Sequence, residues 1–436
     1  MHQQHSFRSL AVTAVALCAA TLAMAQTQAQ SQSDLHRNAA TLNVGGDAFM
    51  TKYARAFYCN LPDDNNQIVV NSRGWNNTTG TGANAIYRIP STQIFDDVWF
   101  IGNHYVGQYM IKTADGIVQV DSGNNANEVA TFNYPAMQAL GLSTAYPLKA
   151  VFLTHGHGDH DGGAKWLLDN LGARSYLGSA DATNKTYAPA LIDSTNLAMR
   201  EMSIGGKTFW VLPTPGHTPG STSAVLEVKD HGVTRRVLIN GGQSMTSSVG
   251  QVAQYLDSIE RTYCMADVLD VDGVMTPHVY WDGEGEKLDE INATGRTNPS
   301  QHIYGHDNVM RQLAVARECS AAWLTKLDTT TVLPAWRYNT IEFVGNPTPT
   351  NVAARVKNGW GPLANQKVTF KVEETGASCT AQTNSDGVAS CAVRPLRPHQ
   401  DKITASFPGA SNSEFVDLPA VTSAQVCSNG NCNAAK

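Results

Sequence analysis

Short runs of β-branched and other apolar residues recur along the middle of the chain, separated by segments with helical patterning. Alternation of strands with helices is typical of a layered α/β domain, in which helices cover the faces of sheets. The pattern predicts such a domain over residues 96–340. Its predicted strands are 98–102, 109–113, 116–121, 149–154, 208–212, 223–228, 235–240 and 271–276.

Two regions flank this predicted domain, and their patterning differs from it. Residues 26–95 form an N-terminal extension, in which we expect a flexible polar leader, a helical stretch over 34–60 and a loop over 61–94, where Asn, Gly, Thr and Asp dominate. Residues 341–350 have the Pro, Gly and Asn content of a linker. Residues 351–425 contain only short strand-like runs, which predicts a small Ig-like β-sandwich, with 426–436 as a tail.

Residues 1–25 have the pattern of a signal peptide, in which an apolar stretch precedes Ala23-Met24-Ala25. Cleavage after Ala25 predicts a periplasmic or secreted protein. A lipid anchor at Cys18 is the alternative, but Leu17 stands where a small residue is expected. The apolar stretch is too short to span a membrane comfortably, and no later segment is long and apolar enough, so we expect no transmembrane segment.

In an oxidising compartment, cysteines persist as disulfides. Cys379 and Cys391 flank a turn sequence at equal distances and are predicted to pair across a hairpin. Cys427 and Cys432 are predicted to close a small loop of their own. Seven cysteines remain after the predicted cleavage, and Cys59, isolated near the N-terminus, is the candidate for the unpaired one.

The charge balance bears on the partners. The chain has 31 basic and 37 acidic residues without long runs of one sign, and its formal net charge is −6. This distribution offers no basic surface for nucleic acid. We therefore expect a small-molecule substrate and no nucleic acid, with surface, carbohydrate or protein contact through the C-terminal domain.

The segment 151–163, VFLTHGHGDHDGG, carries the chemistry. Alternate residues at a strand end project to one side, so His155 and His157 can bind one metal while Asp159 and His160 reach a second. Imidazole and carboxylate without cysteine suit a catalytic zinc site. His217 in a Pro/Gly-rich turn and His278 at a strand end complete six ligands.

With these motifs the chain resembles the metallo-β-lactamase superfamily over roughly residues 96–330. Members carry H-x-H-x-D-H after a strand, a later G-H-T-x-G-S turn and a final strand-end histidine. The resemblance implies a four-layer αββα sandwich. Many members add a bridging aspartate after a later strand, whereas here residues 238–240 are followed by Gly-Gly-Gln-Ser.

This combination is similar to the metallo-β-lactamase subclass with an all-histidine first site. Carried over, the resemblance gives the first zinc His155, His157 and His217 and the second zinc Asp159, His160 and His278. It also implies a disulfide between Cys264 and Cys319.

Zinc lowers the pKa of bound water towards about 7. The resemblance therefore implies a secreted hydrolase with two Zn²⁺ per chain that opens a β-lactam-like cyclic amide, and zinc-bound hydroxide would be the attacking group. Asp159 is the expected catalytic residue, orienting the water. Hydrolysis of lactones or other esters is the alternative on the same site, and a surface-binding protein with a vestigial metal site is a remote one.

Other polar residues lie outside these motifs. His302 and His306 are expected on an exposed helix face rather than as ligands. Residues 103–105 are candidates for lining the cleft, and Ser244 is a candidate for contacting water or substrate.

Overall fold

The computed structural model describes residues 32–45, 59, 88–103, 105–279, 283–348, 350–394, 396–398 and 400–426. The predicted signal peptide, His104, Cys427 and Cys432 lie outside these residues. The described residues fall into two compact units. One comprises those between 48 and 328, and the other comprises those up to 47 and from 329 onward.

A seven-stranded sheet forms one half of the unit between 48 and 328, with its strands side by side in chain order. The first four strands are antiparallel neighbours, whereas β4 to β7 run parallel. The strands are β1 Arg88–Phe95, β2 Val98–Asn103, β3 Gly107–Lys112, β4 Ile117–Val120, β5 Leu148–Phe152, β6 Arg174–Gly178 and β7 Ala190–Ile192. The loop prediction is therefore wrong for residues 88–94, which pair with β2.

A five-stranded sheet forms the other half, in the order β12-β11-β10-β9-β8. The β8–β9 hairpin turns at Gly205 and Gly206, whose φ angles of 60° and 87° are the left-handed values that a tight two-residue hairpin needs. The strands are β8 Arg200–Ile204, β9 Lys207–Pro213, β10 Thr222–Asp230, β11 Val233–Ile239 and β12 Gly273–Met275.

The main core lies between the two sheets. Alternate residues point inward, so Phe152 of β5 meets Phe209 of β9 at 5.3 Å between ring centroids, while Val151 faces the helices on the outer side. The result is the mixed α/β architecture with helices outside two sheets that the sequence predicts. The helices of this unit are α2 Ala126–Glu128, α3 Tyr134–Ala139, α4 Gly158–Asp161, α5 Ala164–Leu171, α6 Val249–Val268, α7 Glu284–Thr294 and α8 His306–Leu327; helix α1, residues 32–43, belongs to the other unit.

The described C-terminal residues are all-β, with their own apolar core. One sheet has the order β14-β15-β16 with β19 also on β15, a second has the order β18-β17-β20-β23, and a third has the order β13-β22-β21. The strands are β13 Ala335–Arg337, β14 Thr340–Phe343, β15 Val352–Asn358, β16 Gly361–Pro362, β17 Lys367–Val372, β18 Ser378–Gln382, β19 Val388–Cys391, β20 Lys402–Phe407, β21 Ala410–Ser411, β22 Phe415–Asp417 and β23 Ala420–Gln425. The linker prediction is wrong for residues 341–343, because β14 pairs with β15.

The disulfides confirm one prediction and correct two. Cys379 and Cys391 are bonded, as the hairpin pattern predicts. Cys59 is bonded to Cys319, so it is not the unpaired cysteine, and Cys264 is free and exposed. A separation of 260 residues leaves no local pattern from which this pairing could be read. Among the described residues, no helix has the length and apolar character needed to cross a membrane.

Candidate metal centre

The ligand loop begins where β5 ends at Phe152. The chain leaves the sheet through residues 153–157 and enters α4, with His157 in extended conformation as the residue before the helix. This strand-to-helix transition places His155 and His157 at the strand side, and Asp159 and His160 on the helix turn. The loop is anchored to the neighbouring strand, because the Thr154 amide donates to the carboxylate of Asp121 at 2.8 Å.

The all-histidine triad is assembled from two loops. His217 lies in the turn between β9 and β10, and its Nε2 atom is 3.0 Å from Nδ1 of His157. Nε2 of His155 is 3.2 Å from the same Nδ1 atom. The three ring nitrogens therefore converge on one point, and His155 is buried while the other two are more open.

The Asp/His/His triad lies beside it. Nε2 of His160 is 3.0 Å from Nε2 of His278. Oδ2 of Asp159 is 3.6 Å from the first of these nitrogens and 3.7 Å from the second. The ring centroids of His155 and His160 are 4.1 Å apart, so the two triads adjoin. Within each triad the candidate ligand atoms lie within 4.8 Å of one another, so the structure brings together the residues that the resemblance assigns to each zinc.

The hydrogen bonds on the far side of the second triad define its ring tautomers. His160 Nδ1 contacts a carboxylate oxygen of Asp121 at 2.6 Å, and His278 Nδ1 contacts the carbonyl oxygen of Tyr105 at 3.2 Å. Both partners only accept, so both Nδ1 atoms carry the proton. When both rings are neutral, both Nε2 atoms present lone pairs to each other at 3.0 Å. A bound cation would relieve this repulsion, as would a proton on Nε2 of His160, whose pKa Asp121 raises, so the residues fit a metal.

The first triad has the same design. His217 Nδ1 donates to the carbonyl oxygen of Ser244 at 2.9 Å, which leaves its Nε2 as a lone pair. The hydroxyl of Thr154 donates to Asp121 and lies 3.1 Å from His155 Nδ1, from which it accepts. His155 Nε2 is therefore also a lone pair. Such partners hold a ligating imidazole in one tautomer and orientation.

The electrostatics keep most of these imidazoles neutral. Burial lowers the pKa of His217 to about 4. Burial, together with the neighbouring imidazoles, holds the pKa values of His155 and His278 well below their ordinary value. Burial also lowers the pKa of His160, but the Asp121 carboxylate outweighs burial, so the pKa of His160 is raised. Neutral imidazole is the form that binds metal.

Residues 241 and 242 exclude a bridging carboxylate from their positions. A Cβ atom on Gly241 would lie 2.0 Å from the carbonyl oxygen of Thr222. One on Gly242 would lie 2.5 Å from Oγ of Ser221 and 2.9 Å from Cβ of His217. The close packing of this turn therefore requires glycine at both positions.

Other predicted residues have mixed outcomes. Tyr105 borders the site, with its ring 5.2 Å from that of His278 in an edge-to-face contact. Ser244 contributes its backbone carbonyl to His217. The prediction for His302 is wrong: it is buried before α8 begins and lies 2.9 Å from Glu284. His306 is the first residue of α8 and is part exposed.

Sequence reasoning missed Asp121. It follows β4, far along the chain from His160, and its φ of 55° places it in the left-handed region. A single acidic residue after an apolar strand carries no recognisable spacing. The signal that could have revealed it is an apolar strand with an aspartate directly after it, followed further along the chain by the histidine motif.

This chain is similar to known proteins over part of its length. The profile of the metallo-beta-lactamase superfamily matches residues 108–235. A hydroxyacylglutathione hydrolase of Anaeromyxobacter dehalogenans is 38% identical over 86 residues, which are 19% of this chain and 31% of that protein. One from Synechococcus sp. is 31% identical over 137 residues, which are 30% of this chain and 50% of that protein. The chain thus spans about a third to a half of the length of these relatives.

A solved structure of a subclass B3 metallo-beta-lactamase from Bradyrhizobium japonicum is 23% identical, and the match covers 53% of this chain and 94% of that one with a TM-score of 0.41. The segment matched by the family profile contains His155, His157, Asp159, His160 and His217. Residues 108–235 are thus a metallo-β-lactamase superfamily domain.

Proposed function

We propose that the protein is an exported hydrolase that uses two zinc ions to open a cyclic amide of the β-lactam type. The observation that carries the proposal is the pair of adjoining ligand triads, one of three histidines and one of Asp, His and His. The glycines at 241 and 242 support it, because a bridging carboxylate has no room at either position.

The roles of the residues follow from their positions. His155, His157 and His217 would hold one zinc, and Asp159, His160 and His278 the other. When bound, zinc supplies Lewis acidity and activates water at neutral pH. Asp159 is the only carboxylate among the six ligands, and its side chain is 25% exposed. It is therefore the group that would orient the attacking water and accept its proton.

Hydrolysis of an ester, thioester or lactone on the same site is the second candidate. The observation that favours it is the match to two hydroxyacylglutathione hydrolases. A metal centre that polarises an amide carbonyl also polarises an ester carbonyl, so only the substrate pocket separates the two candidates. A vestigial site on a surface-binding protein is the remote third, and the convergence of all six ligands speaks against it.

Export is part of the proposal. Two disulfides, Cys59–Cys319 and Cys379–Cys391, suit an oxidising compartment. We further propose that the C-terminal β unit is an Ig-like domain that contacts a surface, a carbohydrate or a protein, which leaves catalysis to the residues between 48 and 328.

A substrate panel tests the function. Zinc-loaded protein is assayed with a cephalosporin, an acyl-homoserine lactone and an acylglutathione thioester. We expect the highest kcat/KM on the cephalosporin, with activity abolished by chelation and by His278→Ala. His231→Asn is the matched control, since His231 bonds Thr297 away from the site and asparagine tolerates its φ of 48°. Turnover of the thioester or lactone alone would assign the second candidate, and no turnover of any would contradict a hydrolase of these classes.

A further inference from the structure

The segment after β6 contacts both loops of the all-histidine triad through one carboxylate, that of Asp181. Oδ2 of Asp181 accepts from the amide of Gly156 at 2.8 Å and from the hydroxyl of Thr218 at 2.6 Å. Oδ1 accepts from the amide of Gly220 at 2.8 Å. Gly156 lies between the ligands His155 and His157, whereas Thr218 and Gly220 follow the ligand His217.

Two glycines allow Asp181 to approach both loops closely. A Cβ atom on Gly156 would lie 2.9 Å from Cβ of Asp181, and one on Gly220 would lie 2.5 Å from its Cγ atom. Real Cβ atoms do not approach other atoms this closely, so a side chain at either position would displace Asp181. The glycines of both ligand motifs therefore serve the packing of this one aspartate.

The same segment also binds the carbonyl group of Gly156. Nζ of Lys185 donates to the carbonyl oxygen of Gly156 at 2.5 Å and pairs with Asp161 of α4. Tyr187 donates to the same Asp161 carboxylate at 2.7 Å. The backbone between His155 and His157 is thus fixed at its N–H and at its C=O by residues outside the ligand loop.

We propose that Asp181 is a positioning residue that fixes the distance between the two loops carrying the all-histidine triad. This inference rests on the proposed function, because it takes the triad to be a metal site. The three bonds need an acceptor on both carboxylate oxygens, since each backbone N–H can only donate. All three hydrogen bonds go to residues other than the ligands, so Asp181 acts on the metal site by holding the backbone of the two ligand loops in place.

Asp181→Asn tests this role with little change of shape. An asparagine amide presents one oxygen and one NH₂ group, so in either orientation a donor faces the amide of Gly156 or that of Gly220. One loop therefore loses its bond. Loss of such supporting partners typically weakens metal binding about 10–100-fold. We expect a loss of this size for the all-histidine site and none for the Asp/His/His site.

Co²⁺ titrations followed by visible absorption, on metal-free full-length protein, measure the two sites separately. In the His278→Ala background, Asp181→Asn should raise the Kd of the remaining tight site about 10–100-fold. In the His217→Ala background, the same change should leave the Kd unaltered. Asp169→Asn is the matched control, because its carboxylate is exposed and pairs with Lys165 on the same helix, α5. It should change neither Kd.

The outcomes separate this inference from the proposed function. Failure of the unsubstituted protein to bind Co²⁺ would contradict the proposed metal centre itself. Equal Kd values with and without Asp181→Asn in the His278→Ala background would overturn the role of Asp181 alone, as would equal losses at both sites. If near-UV circular dichroism shows that Asp181→Asn does not fold, Thr218→Val removes only one of the three donors and should weaken the all-histidine site in the same direction by less. An unchanged Kd in that variant would overturn the role.

Discussion

Nδ1 of His160 lies 2.6 Å from Oδ2 of Asp121, and Nε2 of the same ring is the ligand atom of the Asp/His/His triad. The Asp121 carboxylate also accepts from the amide and the hydroxyl of Thr154, the residue before His155. One buried carboxylate therefore fixes the tautomer of His160 and the start of the ligand loop. The proposed metal centre is thus supported by a group outside the six candidate ligands.

Asp121→Asn should weaken the Asp/His/His site. The amide NH₂ in place of Oδ2 donates to His160 Nδ1, which moves the ring proton to Nε2 and blocks the ligand atom. We expect zinc affinity at this site to fall about 10–100-fold, and the pKa of His160 in metal-free protein, which Asp121 raises, to fall as well. Zinc titration and NMR titration of His160 measure the two effects. Asp115→Asn, at an exposed carboxylate paired with Lys149, is the control, and zinc affinity unaltered by Asp121→Asn would contradict this role.

Glu284→Gln should destabilise the fold. Glu284 is fully buried, accepts from Tyr109, and contacts His302 and Lys287 at 2.9 and 2.8 Å. Removing its charge breaks the buried ion pair with Lys287, which typically costs about 3–5 kcal/mol of unfolding free energy. Denaturant unfolding of metal-free protein at pH 7 measures the loss. Glu290→Gln, on the exposed side of the same helix, should be neutral.

The effect of Glu284 depends on pH in a defined direction. Burial alone would raise its pKa, but His302 and Lys287 outweigh burial and lower it from 4.5 to about 2. The unfolded chain thus binds a proton at a higher pH than the folded protein does, so the stabilisation is complete above pH 4.5 and is lost as the pH falls towards 2. The stability difference between the parent protein and Glu284→Gln should narrow over this window, and a constant difference would contradict the assignment.

The disulfide between Cys59 and Cys319 differs from the Cys264–Cys319 bond that the resemblance implies, and it leads to a different stability prediction. Cys319→Ser should lower the unfolding free energy by about 2–4 kcal/mol, because a disulfide closing a long loop restricts the unfolded chain. Cys264→Ser should have little effect, since Cys264 is exposed and free. Non-reducing peptide mapping should find the 59–319 and 379–391 bonds and maleimide label on Cys264. A bond between Cys264 and Cys319 would contradict the structure.

A chain of residues 48–328 should fold and bind both metals. All six ligands lie in it, and the division into compact units falls at its ends. A chain ending at Phe343 instead keeps β13 and β14 but lacks their partners β22 and β15, which leaves two exposed strand edges that favour aggregation. Size-exclusion chromatography with metal analysis compares the two. Aggregation of the 48–328 chain would show that the unit depends on the remainder of the protein.

The residues of the two triads could be found from the sequence because their positions follow local rules. His155, His157, Asp159 and His160 stand at fixed offsets after an apolar strand, and His217 and His278 stand in turns after strands. The strand pattern likewise predicted the α/β sheets, and the turn between Cys379 and Cys391 predicted their disulfide. In each case the information lies within a dozen or so neighbouring residues.

The supporting groups could not be predicted, because their partners are distant in sequence. Asp121 meets His160, Asp181 meets Gly156 and Gly220, and Cys59 meets Cys319 only after the sheets have formed. His302 was misplaced for the same reason. Its partner Glu284 lies on a different element. When that partner is not known, a histidine in a polar segment is expected to be exposed.

The metal content of the purified full-length protein tests the central claim most directly. After exposure to zinc and removal of the excess, atomic emission should find close to two zinc ions per chain, since each triad offers three converging ligand atoms. His278→Ala should retain about one and His231→Asn about two, by the ligand count of each site. Absence of zinc from a folded protein, or two tightly held ions in the His278→Ala variant, would contradict the assignment of these six residues as two metal sites.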